Sequence, residues 1–214
     1  METTRPPLRA KLKNATPSQT IGPFFAYSLT STKYGRRLLA SNRIDSVSGT
    51  QIRVKGQVFD GDGEPVPDAM LEIWQADPEG RLAGANDGAN IKFTGFARAA
   101  TDQDGTFIFE TVKPGRFHTS NDILQAPHIS VIVFARGILT HLHTRIYFAD
   151  ETSNDNDPIL AAIEDPNRRA TLIAVPDSDG NGYTNYRFNI RLQGEEETVW
   201  QVVSIRWINF FQPV

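Results

Sequence analysis

Residues 52–63 read Ile-Arg-Val-Lys-Gly-Gln-Val-Phe-Asp-Gly-Asp-Gly. The first eight alternate with a period of two, which puts Ile52, Val54, Gly56 and Val58 on one face of a strand. The last four are turn residues, because glycine accepts positive φ and an aspartate side chain bonds nearby backbone amides. The same pattern repeats down the chain. Ala69–Trp74 reads as a strand, and Gly95–Thr101 and Thr106–Val112 flank the turn Asp102-Gln103-Asp104-Gly105. Lys113-Pro114-Gly115 ends that hairpin. Apart from Ser130, Ile129–Ala135 is a β-branched and aromatic run, read as a central strand buried on both faces. Arg136-Gly137 turns the chain, and Leu142–Phe148 runs back. Thr171–Val175 and Tyr183–Gln193 close the sheet around an Asp/Gly/Asn turn. One short helix is expected at Pro158–Glu164, with Asp157 as N-cap and Pro158 at the first helical position.

Many short strands separated by turn signals predict an all-β fold, a single β-sandwich domain over residues 51–199. Residues 1–50 are expected to form an extended N-terminal arm. Within it, Thr16–Phe25 holds too much proline and glycine for a helix, yet is too apolar for a free tail, so it should pack against another surface. Residues 200–214 (WQVVSIRWINFFQPV) form a C-terminal extension whose apolar content suits packing on a partner.

Composition narrows the functional classes. The 214 residues contain no cysteine, which excludes a disulfide framework, a zinc ribbon and a thiol nucleophile. A formal net charge of -3 removes any bulk attraction to nucleic acid. The N-terminal METTRPPLRAKLKN is charged and lacks an apolar segment, so it does not read as a signal peptide. The most apolar stretch, Ile129–Ala135, is far too short to span a bilayer. A soluble, cytoplasmic protein is expected.

Two constellations have metal-ligand spacing. Asp177, Asp179, Asn181 and Gly182 match the opening of a calcium loop, but the twelfth position is Phe188, where a bidentate glutamate is required. A plain hairpin turn is the better reading. His141 and His143 lie two residues apart, on one face of a strand, a bidentate spacing for iron, copper or zinc. That pair lacks an evident third ligand, so a structural pair of histidines stands beside it as the alternative. No serine nucleophile elbow, phosphate-binding loop or dinucleotide motif is present.

A series of short segments then appears in order over residues 16–199. It comprises Thr16-Pro17-Ser18-Gln19-Thr20 with Gly22-Pro23, Gly56-Gln57-Val58 with its turn, Glu72-Ile73-Trp74-Gln75-Ala76-Asp77, and Thr101–Gly105. Lys113-Pro114-Gly115, Ala126-Pro127-His128-Ile129 and His143-Thr144-Arg145-Ile146-Tyr147-Phe148 follow. Tyr186-Arg187-Phe188, Gln193-Gly194-Glu195 and Thr198-Val199 complete it. The series resembles that of the intradiol ring-cleaving dioxygenases, which split an aromatic ring between two adjacent hydroxyls.

Catalytic members of that family hold a non-haem Fe(III) with two tyrosines and two histidines; phenolates are hard anionic donors that suit this ion. The resemblance places the four ligand positions at Leu82, Phe117, His128 and Ser130, so a single imidazole remains. An arginine that precedes the histidine pair in catalytic members is replaced by Gln125. The resemblance therefore implies an α-type chain with no metal and no catalytic residue of its own. Its Fe(III) would belong to a partner β subunit, with αβ units assembled into a larger oligomer. His141 and His143 fall outside the family's metal pair, and His128 becomes a structural relic.

The resemblance further implies that the α chain walls the partner's substrate cavity with Thr20, Gly22, Pro23, Phe24 and Arg136. The implied substrate is protocatechuate, a catechol carrying a carboxylate, cleaved with O2 to 3-carboxy-cis,cis-muconate. With the catechol oxygens on iron, the carboxylate points away and needs a cation, for which arginine offers a matched fork. Family α chains carry tyrosine after Gly-Pro, so Phe24 removes a phenolic donor. A non-catalytic β-sandwich subunit, or a subunit acting on another catechol, remains the alternative.

Overall fold

The computed structural model describes residue 29 and residues 47–83, 93–119, 122–178 and 183–201. The arm residues Thr20, Gly22, Pro23 and Phe24, the turn residues Asp179, Asn181 and Gly182, and the tail beyond residue 201 lie outside the described residues.

In β1 (Gln51–Phe59) burial alternates, with Ile52, Val54, Gly56 and Val58 inside, as the period of two predicts. Its partner β4 (Thr106–Val112) runs antiparallel in the register Val54↔Phe109. The other strands are β2 (Met70–Gln75), β3 (Phe96–Ala100), β5 (Phe117–His118), β6 (Leu124–Gln125), β7 (His128–Phe134) and β8 (Leu142–Phe148). They are followed by β9 (Ile173–Asp177), β10 (Thr184–Arg187) and β11 (Ile190–Arg191). The hydrogen-bonded path is β11-β1-β10-β9-β8-β7-β2-β3, with β4 on β1 and a separate β5–β6 ribbon.

The path folds over on itself. Ile52, Val54, Phe107 and Phe109 from one half share a single buried cluster with Leu71, Ile73, Val131, Val133 and Ile146 from the other. Strand β9 joins the halves, antiparallel to β10 and parallel to β8. This is the expected sandwich. Both aspartate turns form as read. Asp60 Oδ1 accepts from the amides of Asp62 and Glu64, and Asp102 Oδ1 from those of Asp104 and Thr106. Gly56 is needed where the chain passes between β10 and β11. A Cβ there would sit 1.6 Å from the Phe188 carbonyl oxygen.

Several boundaries differ from the sequence reading. β7 is buried throughout on one face only: Ile129, Val131 and Val133 point into the core, while on the outer face His128 is buried and Ser130, Ile132 and Phe134 are half-buried. With Ile132 and Phe134 on one face and Ile129, Val131 and Val133 on the other, apolar character alone does not reveal which face is covered. The expected helix is one turn, α1 (Pro158–Ala161), capped by Asp157 as predicted. A second short helix, α2 (Pro166–Ala170), follows with Asp165 as cap, and a 3₁₀ turn spans Thr152–Asn156. The expected strand at Tyr183–Gln193 breaks into β10 and β11, because Phe188 turns into the core. At the start of the expected extension, Trp200 packs against the core and the Gln201 amide donates to the His143 carbonyl at 2.8 Å.

Candidate functional site

Of the four positions that the family resemblance assigns to metal ligands, Phe117, His128 and Ser130 lie on neighbouring strands, and the loop carrying Leu82 is held against them at its Gly80. Gly80 has φ +81, and a Cβ on it would meet the Arg116 carbonyl at 1.9 Å, so the loop carrying Leu82 lies against the start of β5 and Phe117. Phe117 pairs with Gln125 across the ribbon, and its ring lies 5.4 Å from that of His128. His128 opens β7, two residues before Ser130 on the same outer face. Of the positions that the resemblance names, Phe117 and His128 are in ring contact, and three of the four side chains offer no metal-binding nitrogen or phenolate.

The space beside them holds a buried polar network that the sequence did not disclose. Strand β8 sets Tyr147 opposite His128 and Arg145 opposite Ser130. Arg145 is 2% exposed, and its Nη1 donates to Gln125 Oε1 at 3.0 Å and to the Tyr147 hydroxyl at 3.3 Å. Its Nε is buried without a hydrogen-bond partner. The Tyr147 hydroxyl donates to Asp157 Oδ1 at 3.1 Å. Asp157, 0% exposed, also accepts from the Ala126 amide at 2.9 Å and from the amides of Ile159 and Leu160. One carboxylate therefore caps α1, holds the strand entry to His128 and, through Tyr147, faces the Arg145 cation.

The surviving imidazole fits this setting. Its Nδ1 contacts the Ala126 carbonyl at 2.8 Å; a carbonyl only accepts, so Nδ1 carries the proton. Burial, reinforced by the Arg145 charge, pushes the His128 pKa well below the ordinary histidine value, against the opposing effect of the Ala126 bond. His128 is thus a neutral ring packed between Phe117 and Tyr147. Burial drives the Tyr147 phenol upward, so it stays a neutral hydroxyl donor rather than a phenolate.

The ferric ion of the family does not fit these residues. Leu82 and Phe117 supply no oxygen, Ser130 no imidazole, and the remaining histidine has a buried guanidinium for a neighbour. Among the described residues, no group of three or more His, Cys, Asp or Glu side chains is placed to hold a metal ion. His141 and His143 do meet, with ring centroids 4.7 Å apart, and Phe134 stacks against His141 at 5.5 Å. Burial and the neighbouring His141 lower the His143 pKa. That pair gains no third ligand among the described residues.

Arg136 lies at the far end of β7, eight residues beyond His128, roughly 26 Å along an extended chain. It precedes the turn at Gly137, φ 84. Its Nε donates to Asp68 Oδ2 at 2.6 Å, an ion pair in which the arginine side chain is 61% exposed and the aspartate 9%. Asp68 is the residue the sequence reading missed here; the turn before β2 gave it no distinguishing signal. The guanidinium is held in place at the surface.

The strands form a β-sandwich, with His128 and Ser130 on the outer face of β7 and Phe117 in the ribbon beside it. Comparison with known proteins identifies the family. A family model described as dioxygenase matches residues 21–194. The chain belongs to the dioxygenase family. It is 47% identical over 196 residues to the protocatechuate 3,4-dioxygenase alpha chain of Burkholderia cepacia, covering 86% of this chain and 95% of that one. It is 45% identical to the corresponding alpha chain of Pseudomonas putida, over 86% and 94%. The beta chain of the Burkholderia cepacia enzyme is 28% identical, over 70% and 67%. Solved structures share the fold: catechol 1,2-dioxygenase from Pseudomonas arvilla C-1 has a TM-score of 0.58 at 22% identity. That match covers 76% of this chain but only 58% of the longer enzyme.

Proposed function

We propose that this chain is the α-type subunit of a protocatechuate 3,4-dioxygenase, an intradiol enzyme whose Fe(III) is held by a partner β subunit in αβ units of a larger, cytoplasmic oligomer. The observation that carries this reading is the replacement of three ligand positions by Leu82, Phe117 and Ser130, in a chain far more similar to alpha chains than to a beta chain. No described helix is long and apolar enough to cross a membrane.

In this reading the chain contributes binding and shape. Thr20, Gly22, Pro23 and Phe24 on the arm, together with Arg136, wall the partner's substrate cavity. Arg136 meets the substrate carboxylate, opposite the ring edge that the partner's iron engages. Its pairing with Asp68 fixes the direction of the guanidinium, so less side-chain freedom is lost on binding. The ring is cleaved with O2 between its two hydroxyl-bearing carbons to give 3-carboxy-cis,cis-muconate. Phe24 supplies an apolar wall where a phenol would donate.

The test is Arg136→Ala in the complex with its β subunit. Loss of a charge-assisted contact to a carboxylate, worth about 1.5–3 kcal/mol, raises KM for protocatechuate roughly 10- to 150-fold. The same substitution leaves KM for catechol, which lacks the carboxylate, unchanged. An unchanged KM for protocatechuate assigns the chain to scaffolding instead.

A further inference from the structure

A buried arginine lies across the sheet from one of the lost ligand positions. Ser130 stands at the position of the second metal-binding imidazole, and its cross-strand partner on the same face is Arg145. Directly opposed residues in an antiparallel pair have Cβ atoms about 4.5–5.5 Å apart, so position 130 and the arginine stem compete for one volume. From there the guanidinium extends along β8 to Tyr147 and across to Gln125. Those two contacts bracket His128, the remaining ligand, whose ring also packs on Tyr147 and Phe117. Gln125 and Arg145 are both nearly inaccessible to solvent, as is Tyr147.

Charge points the same way. A buried cation is tolerated where a carboxylate balances it, and here balance arrives through Tyr147 from Asp157. A second cation placed beside His128 would meet the guanidinium with little solvent to screen it. The arginine that catalytic relatives carry at the position of Gln125 enters from the β6 side. Arg145 enters from β8, where it opposes position 130 itself.

We propose that Arg145 has taken over the vacated ligand space, so that this chain is closed to a metal ion by a residue outside the ligand set. The proposal rests on the reading of this chain as an α-type subunit. It predicts that restoring the ligands alone does not restore the metal.

The experiment uses the complex with the β subunit, measuring iron per αβ pair and the visible phenolate-to-Fe(III) absorption. Wild type carries one iron per pair; two would overturn the α-subunit reading rather than this proposal. Leu82→Tyr, Phe117→Tyr and Ser130→His together are expected to leave one iron per pair. Adding Arg145→Gln is expected to raise the content towards two and to about double the absorption per pair. Adding Arg145→Lys, which keeps the cation, is expected to leave it at one. A second iron in the triple variant with Arg145 intact overturns the proposal. So does a content of one in the Arg145→Gln complex. Should that complex fail to assemble, Arg145→Met, uncharged and of similar length, replaces it under the same two criteria.

Discussion

Asp157→Asn is the sharpest probe of the buried network. The carboxylate is fully buried and accepts four hydrogen bonds: from the Ala126 amide at 2.9 Å, the Tyr147 hydroxyl at 3.1 Å, and the Ile159 and Leu160 amides at 2.9 and 3.1 Å. Asparagine serves as well as aspartate at an N-cap, so its single carbonyl oxygen can keep the helix bonds. Its amide group then replaces Oδ2 and faces the Ala126 N–H, donor against donor. A buried amide left without an acceptor costs about 1–3 kcal/mol. The substitution also removes the negative charge that faces Arg145 through Tyr147, and unbalancing a buried charge costs about 3–5 kcal/mol. The two effects overlap, so a total of about 3–5 kcal/mol is expected. Asp165→Asn is the internal control. Asp165 is also an N-cap, accepting from the Asn167 amide at 2.8 Å, but at the surface. Its loss of charge should cost no more than about 0.5 kcal/mol. Urea unfolding of the full-length chain, with the m-value held common, reads both as shifts in midpoint. Equal costs for the two variants would refute the assignment of Asp157 as counter-charge to Arg145 and leave it a helix cap alone.

Tyr147→Phe removes the hydroxyl that links Asp157 to Arg145. It should cost about 1.5–3 kcal/mol without loss of β-structure by circular dichroism. Gly56→Ala drives a Cβ into the Phe188 carbonyl, 1.6 Å away, and no side-chain rotation relieves a backbone clash. A loss of more than about 3 kcal/mol is expected, read as a fall in thermal midpoint, whereas Gly137→Ala, with nothing within 4 Å, meets only the strain of its positive φ. Histidine sets an acid-side slope. The folded pKa of His128 is depressed below the ordinary 6.5, so beneath that pH the unfolded chain binds a proton that the folded chain does not. Stability is therefore full above about pH 6.5 and is lost as pH falls towards the folded pKa, by up to about 1.4 kcal/mol per unit. His143, also depressed, adds to the slope, and denaturation midpoints of His128→Gln across that window isolate the share of His128.

The sandwich was legible because its signals are local. The alternation at Ile52–Val58 and the two aspartate turns depend on neighbours in sequence, and all of them form as read. What failed was tertiary. The Ile129–Ala135 run reads as buried on both faces, yet only partners across the sheet decide coverage, and the outer face of β7 is half-open. The brevity of α1 has a local origin instead: Asp165 and Pro166, a second cap and first-turn proline, begin a new helix soon after the first. At the site, the ligand losses were readable residue by residue, because each expected position could be compared with a required donor. The replacement was not. Arg145 sits in an ordinary-looking strand, and an arginine in a strand is normally solvated. Only the register with Ser130, and the closure of Tyr147, Gln125 and Asp157 around it, shows that this one is buried.

Strand β7 explains how such a chain can lose a metal site and keep its fold. Its inner side chains, Ile129, Val131 and Val133, belong to the main core cluster. Its outer side chains, His128 and Ser130, occupy two of the ligand positions, and Arg136 follows at the end of the strand. Because successive side chains alternate between faces, substitutions on the outer face leave the inner packing untouched. Removing the ligands therefore costs the sandwich little, provided that the polar space is refilled by groups that satisfy one another. Arg145, Tyr147 and Asp157 do this from β8 and from the cap of α1, elements that were already buried for other reasons. Arg136 is anchored by Asp68, a residue outside that network, roughly 26 Å along the strand from His128. The two sites can consequently vary independently, which is why Arg136→Ala and Arg145→Gln should have additive effects on stability. A coupling of more than about 0.5 kcal/mol between them, in a double-mutant cycle, would show that β7 transmits strain from one end to the other.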